Sequence, residues 1–187
     1  MLGLRVLDVG CGPGIYVDAL RKLSNVLIAD GVDKDFRCPH AKVDIFSSEF
    51  QDYLGKYDVC LCLEVGEHLP AEHADYFVEL LTKVAPLVIF SAAQPDQNGF
   101  GHINCQPKSF WISRFLQNNF ILDERGTQQL IDFMRQGPHM GWFVNNAMVF
   151  RSYGYMYYDT IVAEETPQAE RLAEFLASGA LTPPQPK

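Results

Sequence analysis

The sequence predicts an α/β domain built on a mostly parallel sheet with helices on both faces. Three observations predict it. Short apolar runs alternate with amphipathic runs of helical spacing along most of the chain. The run 57–64 is apolar almost throughout, as in a strand covered on both faces. A glycine-rich loop, residues 10–14, joins the first apolar run to the first amphipathic one.

The elements follow in order. The first strand is Leu4–Val9. A helix over 15–23 comes next, with Ile15, Ala19, Leu20 and Leu23 on one face. The second strand is Val26–Val32 and a short third strand covers 41–46. Ser48 and Gln51 have capping-box spacing and open a brief helix that Gly55 ends. The fourth strand is 57–64. Ala74, Phe77, Val78, Leu81 and Val84 then mark a helix over 71–84. The fifth strand, 87–92, leads into a Gly- and Pro-containing loop over 93–106, and Pro107 starts a helix to about residue 118. Runs 120–125 and 147–151 read as the last two strands, giving seven in all. Residues 1–152 form the predicted domain. Residues 153–187 form an extension with a short helix starting at Thr166 and Pro167 and a disordered Pro-rich end over 178–187. One tension stands out: too few residues separate the second and third strands for an ordinary crossover helix.

Composition excludes several classes. Of 187 residues, 48% are hydrophobic and 20% charged, the balance of a globular domain rather than of a disordered or fibrous chain. No apolar run reaches the ~20 residues that span a bilayer, and the first residues lack the ordered regions of a signal peptide. The net charge is −8 and the basic residues are scattered, with Lys34, Arg37 and Lys42 the tightest group, read as a solvated loop. Charge therefore does not favour a nucleic-acid partner. The five cysteines are an odd number without a C-x-x-C pair, which argues against a disulfide framework or a zinc knuckle. A reducing, cytoplasmic setting is expected.

The segment VLDVGCGPG, residues 6–14, carries the most chemistry. Glycines adopt positive φ and let a ligand approach the backbone, and the helix beyond offers unpaired N–H groups. The spacing G-x-G-x-G and the bulky Ile15 argue against a dinucleotide turn, which favours G-x-G-x-x-G, and so against a nicotinamide oxidoreductase. Asp33, about twenty residues on, stands where an acid binds ribose hydroxyls, with Asp30 the neighbouring alternative.

This segment resembles the first motif of the class I S-adenosylmethionine (SAM)-dependent methyltransferases. The resemblance continues in order through GVD (31–33), VDIF (43–46) and LEVGEHLP (63–70), the last marking a small member of E-V-x-E-H type. It implies a Rossmann-like, seven-stranded sheet with an antiparallel last strand, and SAM as cofactor. It places Asp8, Gly10, Cys11, Gly12 and Gly14 at the cofactor, Asp33 on the ribose, Asp44 on the adenine amino group with Ile45 or Phe46 beside the base, and Glu64 near the methionine part. The chain begins almost at its first strand, so the helices that often precede it in the family are expected to be absent. A partner chain, an upstream region or the C-terminal extension would then supply a substrate lid.

Ligands of open α/β sheets bind beyond the carboxyl ends of the strands. Polar groups gather there: Glu64, Glu67 and His68 after the fourth strand, and Gln94, Asp96, Asn98, His102 and Asn104 after the fifth. His102 and His68 are the candidate bases, with Glu67 as orienting carboxylate or alternative base. His40, His73 and His139 are read as surface or structural residues. The leading reading is methyl transfer to a hydroxyl or amine of a small molecule or glycan. The E-x-x-E-H pattern with a later histidine also resembles the metal site of small-RNA 3′-terminal 2′-O-methyltransferases, which would make a divalent metal possible but not favoured. A non-catalytic SAM-binding subunit supporting a partner is the alternative from another class.

Overall fold

The computed structural model describes residues 3–35, 37–136 and 141–154. The predicted helix beginning at Thr166 and the predicted disordered end lie outside the described residues.

A six-stranded sheet runs β1 (Leu4–Val9), β2 (Val26–Val32), β3 (Val59–Leu63), β4 (Leu87–Ser91), β5 (Phe120–Leu122) and β6 (Met148–Ser152) in sequence, and β2-β1-β3-β4-β6-β5 in space. β1 to β4 are parallel to one another; β6 is inserted antiparallel to both β4 and β5. The antiparallel last strand is therefore present, and the Rossmann-like α/β class holds. The count of seven does not. The predicted strand over 41–46 contributes a single bridge, Val32 to Ala41, with Ala41 N–H donating to Gly31 O at 3.1 Å and Asp33 N–H to Ala41 O at 3.1 Å. The short connection explains it: with no room for a crossover helix the chain touches β2 once and turns away into a 3-10 turn, Ser48–Tyr53. That turn has Ser47 rather than Ser48 as its cap, without a side-chain capping bond.

The sheet is buried on both faces. Leu4, Val6, Val59 and Leu61 pack with helices α1 (Ile15–Leu20), α4 (Glu124–Met134) and α5 (Gly141–Asn146). Leu7, Val9, Cys60 and Cys62 pack on the other face with α2 (Ala74–Val84) and α3 (Lys108–Gln117). Alternate residues of each strand thus feed alternate faces, and Cys60 and Cys62 serve as core residues.

The C-terminal half departs from the sequence-based expectation. The run 120–125 stops being a strand at Leu122, because Asp123 caps α4 by accepting the Gly126 N–H at 2.8 Å. Neither α4 nor α5 was expected. β1 lies between β2 and β3, so the chain leaves it in one direction and returns on the other side. The crevice at such a reversal opens at the carboxyl end of β1, where the glycine loop sits.

Candidate active site

Backbone geometry makes the glycine loop. Gly10, Gly12 and Gly14 have φ of 79°, 50° and 79°. A Cβ on Gly10 would run into the Val65 side chain, so only glycine fits that turn. Gly10 and Cys11 N–H both donate to Val32 O, at 2.8 and 3.2 Å, and Gly12 N–H donates to Asp33 Oδ2 at 2.8 Å. The same carboxylate accepts Asp35 N–H through Oδ1 at 2.8 Å. Asp33 is thus fixed at the cleft, whereas Asp30 faces away toward Tyr57 and Arg21.

A cleft of about 570 Å³ opens over this loop. Gly10, Gly12, Asp33, Asp44, Ile45 and Glu64 line it. The other three residues placed at the cofactor do not. Asp8 is 2% exposed beneath the loop, and burial followed by the nearby Asp33 charge pushes its carboxyl up to about 7. The Cys11 thiol turns inward, 3.5 Å from the Cys38 thiol. Gly14 packs against the His40 ring, which gives that histidine a structural place. Lys34 and Arg37, read as part of a solvated loop, lie on the cleft wall, with Arg37 paired to Asp35.

A second cavity of about 390 Å³ is lined by Glu64, Glu67, His68, Ala93, Gln97, Asn98, Gly99 and His102. It shares Glu64 and His68 with the cleft. Backbone stitching brings its walls together: Ile103 and Asn104 N–H donate to Glu67 O at 2.9 and 3.0 Å, and Asn104 Nδ2 donates to Gly66 O at 3.3 Å. The segment after β4 is thereby laid against the turn after β3. The rings of His68 and His102 meet edge to face with centroids 5.1 Å apart. Their Nδ1 atoms face the carbonyls of Gly101 (3.1 Å) and Gln97 (2.8 Å). A carbonyl only accepts, so Nδ1 is the donor in each contact, and Nε2 is the acceptor of the corresponding neutral tautomer. Gly99 is required here, since a Cβ on it would strike the His102 ring.

Glu67 is fully buried; no donor meets full hydrogen-bond geometry at its carboxylate oxygens, and the Glu64 carboxyl and the Ala93 backbone lie beside them. Burial raises its carboxyl above the usual range. Burial, and then the neighbouring Glu67, raise Glu64 as well. Glu64 has a left-handed backbone, φ 56°, unusual for a residue with a side chain and concentrated at functional sites. Ligand atoms of Glu67, His68 and His102 lie within 4.8 Å of one another. A buried carboxyl and two imidazoles form a donor set that fits either a proton relay or a divalent cation.

A methyltransferase-domain family profile matches residues 2–146. The chain belongs to this family of SAM-dependent methyltransferases. The methyltransferase is 26% identical over 181 residues to the ubiquinone biosynthesis O-methyltransferase of Escherichia coli, covering 86% of this chain and 69% of that one. Among solved structures it resembles the magnesium protoporphyrin IX methyltransferase of Synechocystis with bound SAH, at TM-score 0.54 and 17% identity over 80% of this chain and 73% of that one. It also resembles the small RNA methyltransferase HEN1, at TM-score 0.55 and 18% identity over 81% of this chain and 23% of that one. At such identities the two structures speak for the fold alone. SAM is the cofactor of the methyltransferase, and the open floor above Gly12, where a Cβ would meet nothing within 4 Å, suits a ligand lying on the backbone. Among the described residues no helix is long and apolar enough to cross a membrane.

Sequence reasoning missed Asn146. It is fully buried, and its Nδ2 donates to both Glu64 oxygens, at 3.2 and 3.4 Å. A buried asparagine is a signal only once its element is placed, and α5 was not.

Proposed function

We propose that this methyltransferase acts on a hydroxyl group of a small molecule seated in the second cavity. One observation carries the reading: the glycine cleft and the cavity holding Glu67, His68 and His102 share the wall formed by Glu64 and His68. The O-methyltransferase relative supports oxygen as the acceptor atom. When bound, SAM supplies an electrophilic methyl on a sulfonium centre. The residues of the chain do the rest. Asp33 holds the ribose hydroxyls, and Asp44 takes the adenine amino group with Ile45 beside the ring. Glu64 stands at the methionine end. His102 accepts the acceptor's proton at Nε2, while its Nδ1–H stays on Gln97 O. The Gly101 and Gln97 carbonyls orient the imidazoles, and Glu67, buried beside them, stabilises the positive charge that forms on them. Fixing the partners in line is worth roughly 7–11 kcal/mol in favourable cases.

Calorimetry with SAH tests the cofactor half. The wild type binds and Asp33→Ala binds at least tenfold more weakly; undiminished affinity in the variant removes Asp33 from the site. Transfer of labelled methyl from SAM to a panel of phenols, vicinal diols and aryl or alkyl amines tests the acceptor half, and labelled amines instead of ethers contradict oxygen.

The convergence of Glu67, His68 and His102 favours a second reading, in which these residues hold a divalent cation that polarises the acceptor hydroxyl. Titration of the metal-free protein with Mn²⁺ or Zn²⁺ separates the two: stoichiometric binding lost in His68→Ala supports the cation, and no heat supports the proton relay. The net charge of −8 favours a small acceptor over RNA in either case.

A further inference from the structure

We propose that Asn146 is a positioning residue for methyl transfer, holding the Glu64 carboxylate at the junction of the two cavities. The inference rests on the reading of the glycine cleft as the cofactor site. Glu64 is the residue on which that junction turns, and its backbone alone cannot fix the carboxylate. Its φ of 56° is reached with the N–H anchored to Ser91, at 2.9 Å from O and 3.2 Å from Oγ. That anchors the main chain; at the carboxylate, Ser91 and Glu67 lie on one side, and the remaining side is left to be held.

The Asn146 amide holds it. Nδ2 donates to Oε1 at 3.2 Å and to Oε2 at 3.4 Å, so one donor spans both oxygens. The amide is itself oriented: its Oδ1 accepts from Gln94 Nε2 at 3.1 Å, and the same Nε2 lies 3.3 Å from Asn145 O. Because Oδ1 is taken as an acceptor, the NH₂ end must face Glu64 rather than the reverse. Gln94 follows β4, Glu64 follows β3 and Asn146 ends α5, so three elements distant in sequence are tied at one carboxylate. α5 is anchored in the core by Phe143 and Val144. A half-desolvated carboxylate without a donor either takes up a proton or rotates toward water. With Asn146 in place it stays aimed at the junction, where a cationic methionine end of the cofactor would meet it.

The test is a double-mutant cycle on the full chain, read by calorimetry with SAM and with SAH, with melting temperature followed in parallel. Asn146→Leu keeps the volume and removes the donor. It is expected to weaken SAM binding by about tenfold, and SAH, which lacks the sulfonium charge, by less. In a Glu64→Ala background, which removes the acceptor, the same change is expected to add nothing, because Asn146 acts through the carboxylate. Gln94→Leu frees the amide without deleting it, and a smaller loss of two- to fivefold is expected; it serves equally if Asn146→Leu does not fold. A packing role predicts the opposite pattern: a lower melting temperature, equal effects on SAM and SAH, and losses that multiply in the double variant. That pattern, or affinity unchanged in both Asn146→Leu and Gln94→Leu, overturns the inference alone. A folded wild type that binds neither SAM nor SAH overturns the cofactor reading and the inference with it.

Discussion

The glycine cleft and the histidine cavity share a wall but are made by different means. The cleft is made by backbone: three glycines at positive φ, N–H groups turned to Val32 and Asp33, and a floor that side chains avoid. The cavity is made by side chains from two places in the chain, the turn after β3 and the segment after β4, with Asn146 at the end of α5 holding the Glu64 carboxylate from behind. Its left-handed residue is Glu64 rather than glycine, and its carboxyl Glu67 is fully buried beside Glu64. A site that must accept any SAM molecule in one pose is served by local backbone. A site that must move a proton is served by groups whose charge depends on surroundings assembled across the fold.

The largest effect separates the two regions cleanly. His102→Ala should lower turnover by about 10²–10⁴-fold, the usual cost of losing a base, while SAH affinity stays within twofold. A parallel loss of SAH binding would mean that the two regions are not separable. The next effect asks whether the backbone-built region is free of charge-dependent cost. In the unfolded chain Asp8 ionises near 3.8 and in the fold near 7. Between those values the folded protein keeps a proton that the unfolded chain releases, so stability falls as pH rises through that window and levels off above it. At 1.36 kcal/mol per unit the whole change is at most about 4 kcal/mol. Asp8→Asn should flatten the fall and be the more stable protein at pH 8, as seen by urea denaturation at pH 5 and pH 8; superimposable slopes would refute the burial account. Gly10→Ala comes third. Left-handed backbone costs an alanine about 1–2 kcal/mol, and the overlap with Val65 adds roughly as much. Its melting temperature should drop and SAH affinity should fall by tenfold or more, whereas the His68–His102 contact should persist in its NMR spectrum.

The same contrast decides how much could be seen in the sequence. The cleft was legible because its parts are local or follow a strand end at fixed spacing: 10–14 after β1, Asp33 after β2. Even there, burial was not legible, and Asp8, Cys11 and Gly14 support the loop from behind instead of lining the cleft. Glu67, His68 and His102 could be placed together because β3 and β4 are neighbours, so their loops adjoin. The predicted strand over 41–46 failed because an apolar, β-branched run cannot join a sheet without a connection long enough to bring it alongside. α4 was missed because Asp123 reads as part of a polar strand end until its carboxylate is seen to accept the Gly126 N–H. α5 and Asn146 were missed because a buried amide looks in sequence like any loop asparagine.

The most direct measurement is the crystal structure of the protein with SAH. The account predicts adenine at Asp44 and Ile45, the ribose on Asp33, and the sulfur at the wall of Glu64 and His68, opening toward His102. A cofactor outside the glycine cleft, or one whose sulfur lies at the Lys34 and Arg37 end away from the histidine cavity, would contradict it.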